Sequence, residues 1–171
     1  MICSNYRPIT LLNVVYKIFS ILINSRLFKM VESKLEVCQM GFRPNRSTID
    51  NIFIVRQIIK KCREFNIELH NVFIDYTQAF DSVFRDKIIE CLNNYETPSK
   101  LIKLIARTLQ DTKFRVEVNQ NYTEKFEIST GVKEGDTLSA TLFSVVIDDI
   151  LKQLELRGNI NTFKTMFSIC R

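Results

Sequence analysis

The sequence predicts an α+β fold in which helices pack on one face of an antiparallel sheet. Apolar residues recur at helical spacing over residues 10–35 and again from Leu138 to Leu154. Between these segments, residues 113–130 alternate between apolar and polar around a turn, as in a β-hairpin. The chain has 171 residues, of which 46% are hydrophobic and 25% charged, so one domain with a buried core is expected.

The first half of the chain predicts helix, loop, helix and strand in that order. The helix over residues 10–35 has apolar residues on most of its surface, which indicates burial among other elements. The loop CQMGFRPNRST follows, with a glycine, a proline and two arginines. Ser47 and Asp50 have capping-box spacing and begin a second helix that ends near Glu64. The apolar run in ELHNVFIDY, residues 68–76, then predicts a buried strand.

The second half predicts helices on both sides of the hairpin. Asp81 is expected to cap a helix that starts near Ser82, and Pro98 is expected to open the next helix. After the hairpin, the segment TGVKEGDT predicts a loop because it contains two of the four glycines. The tail NINTFKTMFSICR, residues 159–171, is compatible with the start of a strand.

The composition excludes several classes of protein. The net charge of +5 favours a polyanionic partner, although such an excess also occurs on ordinary solvated surfaces. The five cysteines lack metal-binding spacing, which predicts reduced thiols rather than disulfides or a zinc site. The apolar stretch VVYKIFSILI contains a lysine and is shorter than the ~20 residues of a membrane span, so no membrane association is expected.

Asp75 ends the apolar run VFID and is a candidate metal ligand. Mg²⁺ binds hard carboxylate oxygens, which is why catalytic Mg²⁺ sites contain aspartates. An aspartate at the end of a strand also caps turns in proteins that have no catalytic role there. Taken alone, this local pattern favours the structural role of Asp75 over the catalytic one.

Four segments in order extend the interpretation of Asp75. They are SNYRPITLLNVVYKIFSILINSRL (residues 4–27), QMGFRPNRSTIDNIF (39–53), VFIDYTQAFDSV (72–83) and GVKEGDTLSATLFSVVIDDIL (131–151). Together they resemble the reverse transcriptase domain of non-LTR (LINE-like) retrotransposons. The resemblance implies a partial polymerase palm with part of the fingers. By the same resemblance, residues 1–68 are the fingers, palm-associated helices and template loop, residues 69–160 the palm, and residues 161–171 the start of a further strand.

This family implies DNA synthesis from deoxynucleoside triphosphates on an RNA template and a DNA primer. Two Mg²⁺ ions stabilise the attacking and leaving oxygens in such a reaction. By resemblance, Asp75 is the catalytic aspartate and a metal ligand, and the backbone carbonyl of Tyr76 is a further ligand. Phe80 is implied to bind the nucleotide sugar and reject a 2′-hydroxyl, with an ordinary core phenylalanine as the alternative. Arg7 is implied to pair with the triphosphate, with a surface arginine as the alternative.

The segment GFRPNRS resembles the loop that contacts the template strand. Gly41 and Phe42 belong to this template loop, and Arg43 and Arg46 are implied to meet backbone phosphates. The alternative is a capped loop that carries two solvated arginines, and both interpretations stay open.

The segment GVKEGDTLS resembles the loop that supports the template and the nucleotide pocket. Gly131 and Gly135 would let the backbone approach the nucleic acid closely. The sequence departs from the family at Glu134, which replaces the usual glutamine, and at Thr137 and Ala140, which replace the usual prolines. Glu134 thereby introduces a negative charge next to an anionic substrate.

The family also has an aromatic-x-Asp-Asp turn between two strands, expected just after TFKTMFSIC near the end of this sequence. The segment VIDDI contains two aspartates, but helical spacing from Leu138 assigns Asp148 and Asp149 to a solvated helix face. We therefore expect a fragment with an incomplete Mg²⁺ site that is inactive alone as a polymerase. The alternatives are a non-catalytic nucleic-acid-binding relic and an unstable pseudogene product. The family implies an intracellular location, in the nucleus or a cytoplasmic ribonucleoprotein.

Overall fold

The computed structural model describes residues 9–153, and most of them are helical. The helices are α1 (Val14–Val31), α2 (Thr48–Glu64), the short α3 (Ala79–Ser82), α4 (Arg85–Asn94), α5 (Ser99–Leu109) and α6 (Thr137–Gln153). Two small antiparallel sheets lie between α5 and α6 in sequence. In one, β1 (Lys113–Phe114) pairs with β4 (Phe126–Glu127), and in the other β2 (Glu117–Val118) pairs with β3 (Asn121–Tyr122).

The core forms between helices, with α6 at its centre. Nearly every residue of α6 from Leu138 to Asp149 is buried. Helix α6 packs against α1 and α4, and α5 packs against the same two helices. The described residues are mostly helical, with small antiparallel two-stranded sheets. Within residues 9–153 the helices pack on one another, and their packing on a larger sheet stays an expectation from the family.

Helix α1 confirms the predicted helix but corrects its apolar face. Asn13 caps it, since its side-chain oxygen accepts a hydrogen bond from the Val15 backbone amide at 2.9 Å. The buried stripe follows helical spacing and consists of Ser20, Ile23, Leu27 and Val31. The apolar residues on the other side are exposed, with Val15 at 75% and Ile18 at 57%. The prediction that this helix is buried on most sides is wrong.

The boundaries of α2 and the hairpin turn agree with the sequence prediction. Ser47 accepts a hydrogen bond from the Ile49 amide at 3.1 Å, and the Asp50 carboxylate accepts one from the Ser47 amide at 3.2 Å. These two bonds form the predicted capping box. The hairpin between β2 and β3 turns at Asn119 and Gln120, both with positive φ, which a two-residue hairpin loop requires.

The predicted strand over residues 68–76 is wrong. This segment is irregular, and Val72, Phe73 and Ile74 are 84%, 78% and 68% exposed. A strand is stable only when a neighbouring strand satisfies its backbone hydrogen bonds. In the part of the chain that the structure describes, no strand pairs with this segment. The predicted capping role of Asp81 is also wrong, because Asp81 lies inside α3 and α4 begins after Phe84 without a side-chain cap.

Asp148 and Asp149 lie on α6, as the helical spacing predicts, but they are not solvated. Asp148 is fully buried and accepts hydrogen bonds from the Glu36 amide at 2.7 Å and from the Tyr95 hydroxyl. Lys152 forms an ion pair with Asp148 at 2.7 Å. These three partners offset the desolvation of the carboxylate. The prediction of a solvated face is therefore wrong, because α6 is enclosed by other helices.

Asp149 is buried to a similar extent on the adjacent position of α6. Its carboxylate forms an ion pair with Lys87 at 3.3 Å and accepts a hydrogen bond from the Gln153 amide at 2.7 Å. Cys91 is buried at the same α4–α6 contact. Burial, together with the negative charge of Asp149, raises the pKa of the Cys91 thiol from 9.0 to about 12.

Within residues 9–153, no helix has both the length and the apolar character needed to cross a bilayer.

The α4–α6 contact predicts a loss of stability at alkaline pH. Burial and the hydrogen bond to Asp148 raise the pKa of Tyr95 above its ordinary value, and Cys91 shifts in the same direction. Both groups keep their protons in the folded state, so their stabilisation is complete below about pH 9 and is lost as the pH rises toward about 12. Urea denaturation across this window should show a falling free energy of unfolding.

The variants Cys91→Ala and Tyr95→Phe should each show a shallower dependence of stability on alkaline pH than the unmodified chain. Tyr122→Phe is the matched control, because Tyr122 is half exposed on the hairpin. An identical pH dependence in all four proteins would contradict the assigned role of the buried thiol and hydroxyl.

Candidate nucleic-acid interface

The loop after the hairpin is fixed against α3 by backbone contacts. We define residues 131–136 as the glycine loop. The Gly131 amide donates a hydrogen bond to the Val83 carbonyl at 2.8 Å, and the Val132 amide donates one to the Phe80 carbonyl at 2.9 Å. Gly131 has a φ of +75°, and a Cβ at this position would lie 2.7 Å from the Asp81 carbonyl oxygen. Only glycine allows the two backbones to approach this closely.

Arg85 fastens the start of the glycine loop. Its guanidinium donates hydrogen bonds to the carbonyls of Gly131 at 2.9 Å, Thr130 at 3.1 Å and Leu109 at 2.5 Å. Because these acceptors come from the loop and from the end of α5, one side chain holds both segments against the start of α4. The sequence analysis missed Arg85, since its acceptors are backbone carbonyls that lie 24–46 residues away along the chain.

The other end of the glycine loop meets the segment that leads into α1. The Thr10 amide donates a hydrogen bond to the Glu134 carbonyl at 3.2 Å. Gly135 has a φ of +97°, and a Cβ there would meet the Thr10 carbonyl oxygen at 3.5 Å. Arg7 lies three positions before Thr10 but outside the described residues, so its predicted pairing with a triphosphate stays a prediction.

Asp136 joins the glycine loop to two helices. It is buried, and its carboxylate accepts hydrogen bonds from the Tyr16 hydroxyl at 3.0 Å, the Ser20 hydroxyl and the Leu138 amide at 3.2 Å. The last bond caps the start of α6. Burial and the Asp136 charge hold the pKa of Tyr16 above its usual range. The sequence analysis missed this residue, although an aspartate just before a long apolar helix is a recognisable capping signal.

Lys133 completes the contact between α1, α5 and the glycine loop. Its ammonium group lies 4.0 Å from the centre of the Tyr16 ring and donates a hydrogen bond to the Thr108 carbonyl at 3.1 Å. Burial lowers the pKa of Lys133 from its usual range. The lysine therefore holds a positive charge inside the same packed region that contains the Asp136 carboxylate.

The structure brings the template loop and Phe80 together. The rings of Phe42 and Phe80 meet edge to face with their centres 6.1 Å apart. Phe80 also contacts Phe143 of α6, with ring centres 5.0 Å apart. Phe42 has a φ of +57° and remains 45% exposed, so one edge of this aromatic group faces solvent. The nucleotide-binding role of Phe80 stays a prediction, and its packing on Phe143 is the contact expected of a core residue.

Arg43 is buried inside the template loop. Its guanidinium forms a bidentate ion pair with Glu32, with a shortest distance of 2.7 Å. It also donates hydrogen bonds to the carbonyls of Glu32 at 3.1 Å, Glu36 at 2.7 Å and Gln39 at 3.1 Å. The alternative of a solvated arginine is wrong at this position. Contact of Arg43 with the template stays a prediction, and the contacts observed hold the loop in shape.

Arg46 and Gly41 occupy different parts of the template loop. Arg46 is half-buried, and its guanidinium donates a hydrogen bond to the Val37 carbonyl at 2.7 Å. Gly41, at the start of the loop, is buried. Arg46 is thus more accessible than Arg43, and its predicted contact with the template backbone fits this position.

Asp75 and Tyr76 lie in the irregular segment before α3. Asp75 is exposed, and Tyr76 is 46% exposed. Tyr76 lines a small apolar cleft of about 180 Å³ together with Phe84, Lys87 and Phe143. Across residues 9–153, no group of three carboxylate, histidine or cysteine side chains could hold a metal ion. The donors that the structure describes therefore do not fit a complete two-metal site.

Comparison with known proteins identifies the family of this chain. Residues 3–166 match the family described as "Reverse transcriptase (RNA-dependent DNA polymerase)". Because this match covers nearly the whole sequence, the chain belongs to the reverse transcriptase family. Its relatives place it with the reverse transcriptase domains of non-LTR retrotransposons.

The chain is similar to a short part of several much longer transposon proteins. Over 149 residues it is 30% identical to the probable RNA-directed DNA polymerase from transposon BS of Drosophila melanogaster. These residues are 86% of this chain and 16% of that protein. It is 30% identical over 153 residues to a retrovirus-related Pol polyprotein from the type-1 retrotransposable element R2 of Popillia japonica, covering 89% and 21%. It is 27% identical over 154 residues to the transposon TX1 uncharacterized 149 kDa protein of Xenopus laevis, covering 90% and 12%. The chain thus spans about an eighth to a fifth of these relatives.

The two glycines of the glycine loop should respond differently to alanine. Gly131→Ala should lower the free energy of unfolding by about 2–4 kcal/mol, because the positive φ is strained and the new methyl group overlaps the Asp81 backbone. Gly135→Ala is the matched control and should lower it by only about 1 kcal/mol, since it adds strain without overlap. Equal losses measured by urea denaturation would contradict the close contact between the glycine loop and α3.

Proposed function

We propose that this chain is the part of an RNA-directed DNA polymerase that holds the template and the incoming nucleotide. The observation that carries the proposal is that one surface unites three predicted motifs. The template loop meets α3 through Phe42 and Phe80, and α3 meets the glycine loop through the hydrogen bond from Val132. The segment after Arg7 joins them at Glu134. Phe42 and Phe80 are 38 residues apart in sequence and Phe80 and Val132 are 52 apart, so motifs distant in sequence lie together, which supports the proposal.

The proposed partners are an RNA template, a DNA primer and deoxynucleoside triphosphates. All three are polyanions, and the net charge of +5 favours their association with the chain. In this proposal, Arg46 meets template phosphates, Arg7 meets the triphosphate, and Phe80 lies under the nucleotide sugar. Gly131 and Gly135 give the glycine loop the shape that brings its backbone near the nucleotide. An intracellular location follows from the proposed function of a retrotransposon polymerase.

Mg²⁺ is the expected cofactor, with Asp75 and the Tyr76 carbonyl as ligands. Because the described residues do not complete a two-metal site, the proposal assigns binding rather than nucleotidyl transfer to the chain by itself. In the intact family, helices such as α4 and α6 are expected to pack on a larger antiparallel sheet.

A second candidate is a chain of marginal stability that has no function on its own. The exposed apolar side of α1 favours this alternative, since Val14, Val15 and Ile18 are each more than half exposed. The two candidates differ in how cooperatively the chain unfolds. A template-binding domain unfolds in one sharp transition, whereas a marginal chain melts broadly.

The purified chain should bind a labelled RNA template annealed to a DNA primer and should not extend the primer with Mg²⁺. Binding is expected to weaken steeply with salt, because phosphate contacts release counterions. Fluorescence anisotropy measures the binding, gel analysis measures extension, and circular dichroism confirms the folded state. Extension that disappears in Asp75→Ala would contradict the assignment of binding alone, and no binding at low salt would refute the proposed function.

Arg46→Gln should weaken that binding. The slope of log affinity against log salt should become shallower by about one unit, since one phosphate contact is removed. Lys103→Gln, on the exposed side of α5, is the matched control with the same loss of charge. Equal effects of the two substitutions would show that Arg46 contributes only general charge.

A further inference from the structure

Helix α2 carries a concentration of positive charge that the template loop does not explain. Residues 51–63 contain Arg56, Lys60, Lys61 and Arg63 and not one carboxylate. Arg56, Lys60 and Arg63 have the i, i+4, i+7 spacing that brings side chains to one face of a helix. We call these three residues the α2 cation face.

The α2 cation face points to solvent. Asn51 is fully buried and lies on the opposite side of the helix, where Val55 and Cys62 are half-buried. Arg56, Lys60 and Arg63 are all exposed. Helix α2 is also outside the packed group formed by α1, α4, α5 and α6. The charges are therefore presented on a helix whose outer side has no covering element within residues 9–153.

Stability of α2 does not account for the α2 cation face as a whole. Like charges at i, i+4 destabilise a helix, and within the described residues no carboxylate forms an ion pair with any of the three. Interaction with the helix dipole favours cations in the last turn, which explains Lys61 and Arg63. It does not explain Arg56, which is near the middle of the helix. Lys61 differs from the others, because it pairs with Glu64 at 2.8 Å on another side of α2.

Apolar and polar side chains accompany the cations in a shallow groove. The groove has a volume of about 430 Å³ and is lined by the α2 cation face with Phe53, Gln57 and Ile59. Phe53 is 61% exposed and lines the same groove as Arg56, so its ring is accessible there. Cations next to an accessible aromatic ring suit a single-stranded nucleic acid, because phosphates pair with the cations while unpaired bases stack on the ring.

We propose that the α2 cation face binds the phosphate backbone of single-stranded RNA adjacent to the template loop. The inference rests on the proposed function, in which the chain holds an RNA template. From Arg56 to Arg63 the helix rises about 10.5 Å, in two intervals of about 6.0 Å and 4.5 Å between neighbouring cations. In this proposal the three cations contact neighbouring phosphates of one strand.

The path of the strand is continuous with the template loop. Arg46 lies one residue before Ser47, the residue that caps α2, so the loop leads directly into the helix. The distance along the axis from Ser47 to Arg63 is about 24 Å. A strand that contacts Arg46 and continues along α2 reaches the α2 cation face after the first turns of the helix, where residues 47–55 contain no cation.

The test compares two triple variants in the full chain. One removes the α2 cation face as Arg56→Gln, Lys60→Gln and Arg63→Gln. The control removes the same charge from exposed lysines on other helices, as Lys29→Gln, Lys100→Gln and Lys103→Gln. The ligand is a fluorescein-labelled single-stranded RNA, followed by anisotropy over a salt series. Circular dichroism of each protein shows that the fold is retained.

The α2 triple variant should lose about tenfold or more in affinity at low salt. Its slope of log affinity against log salt should fall by about 2, because three single-strand phosphate contacts are removed. The control triple variant should retain most of the affinity. Phe53→Ala should weaken single-stranded RNA binding more than binding to duplex RNA, since stacking requires unpaired bases. The single variants Arg56→Gln and Lys60→Gln provide the same test if the triple variant is unstable.

The possible outcomes separate this inference from the proposed function. If the unmodified chain binds no RNA, the proposed function fails and the inference fails with it. If it binds RNA and the two triple variants lose equal affinity, the α2 assignment is overturned while the proposed function stands. Binding to phosphatidylserine vesicles that depends on the α2 cation face, with unchanged RNA affinity, would identify a membrane surface as the partner and overturn the inference.

Discussion

The buried carboxylate of Asp136 is the interaction on which the arrangement of the interface depends. It holds the first turn of α6, the glycine loop and two hydroxyls of α1 at one point. Breaking a buried carboxylate away from its partners costs about 1–3 kcal/mol for each unsatisfied group, which is a large part of the stability of a small domain. Tyr16 and Ser20 therefore stay in contact with the loop. That contact fixes where Gly135 meets the segment before α1 and where Gly131 meets α3.

Helix α6 connects the glycine loop to the segment that leads into the template loop through hydrogen bonds. Asp148 lies about 18 Å from Asp136 along the chain direction, given 1.5 Å per helical residue. Its carboxylate binds the Glu36 amide, and the Gln39 side chain donates a hydrogen bond to the Ser144 carbonyl at 3.2 Å. Arg43 then joins Glu36 and Gln39 through their carbonyls. The glycine loop and the segment that leads into the template loop are thus attached to different positions of one buried helix, so a rigid element sets their relative placement.

Local signals in the sequence predicted most helix boundaries and the hairpin turn. The features that the sequence did not predict depend on contacts formed in the folded chain. The Ser47 capping box, the turn before β3 and the helical spacing of α6 depend on neighbours within a few residues, so the pattern contains the information. The burial of Asp148 and the enclosure of Arg43 depend on partners that only the folded chain supplies. The segment 68–76 has the composition of a strand, but composition cannot supply the neighbouring strand that the conformation requires.

The exposed surfaces of the domain differ in the partner that each can take. The outer side of α1 is apolar, with Val15 at 75% exposed, and water contact there is unfavourable until another protein surface covers it. The α2 cation face has the opposite property, because solvated guanidinium and ammonium groups are stable in water and become unfavourable when buried without counter-charge. The proposed RNA contact on α2 and the exposed apolar side of α1 therefore lie on different helices.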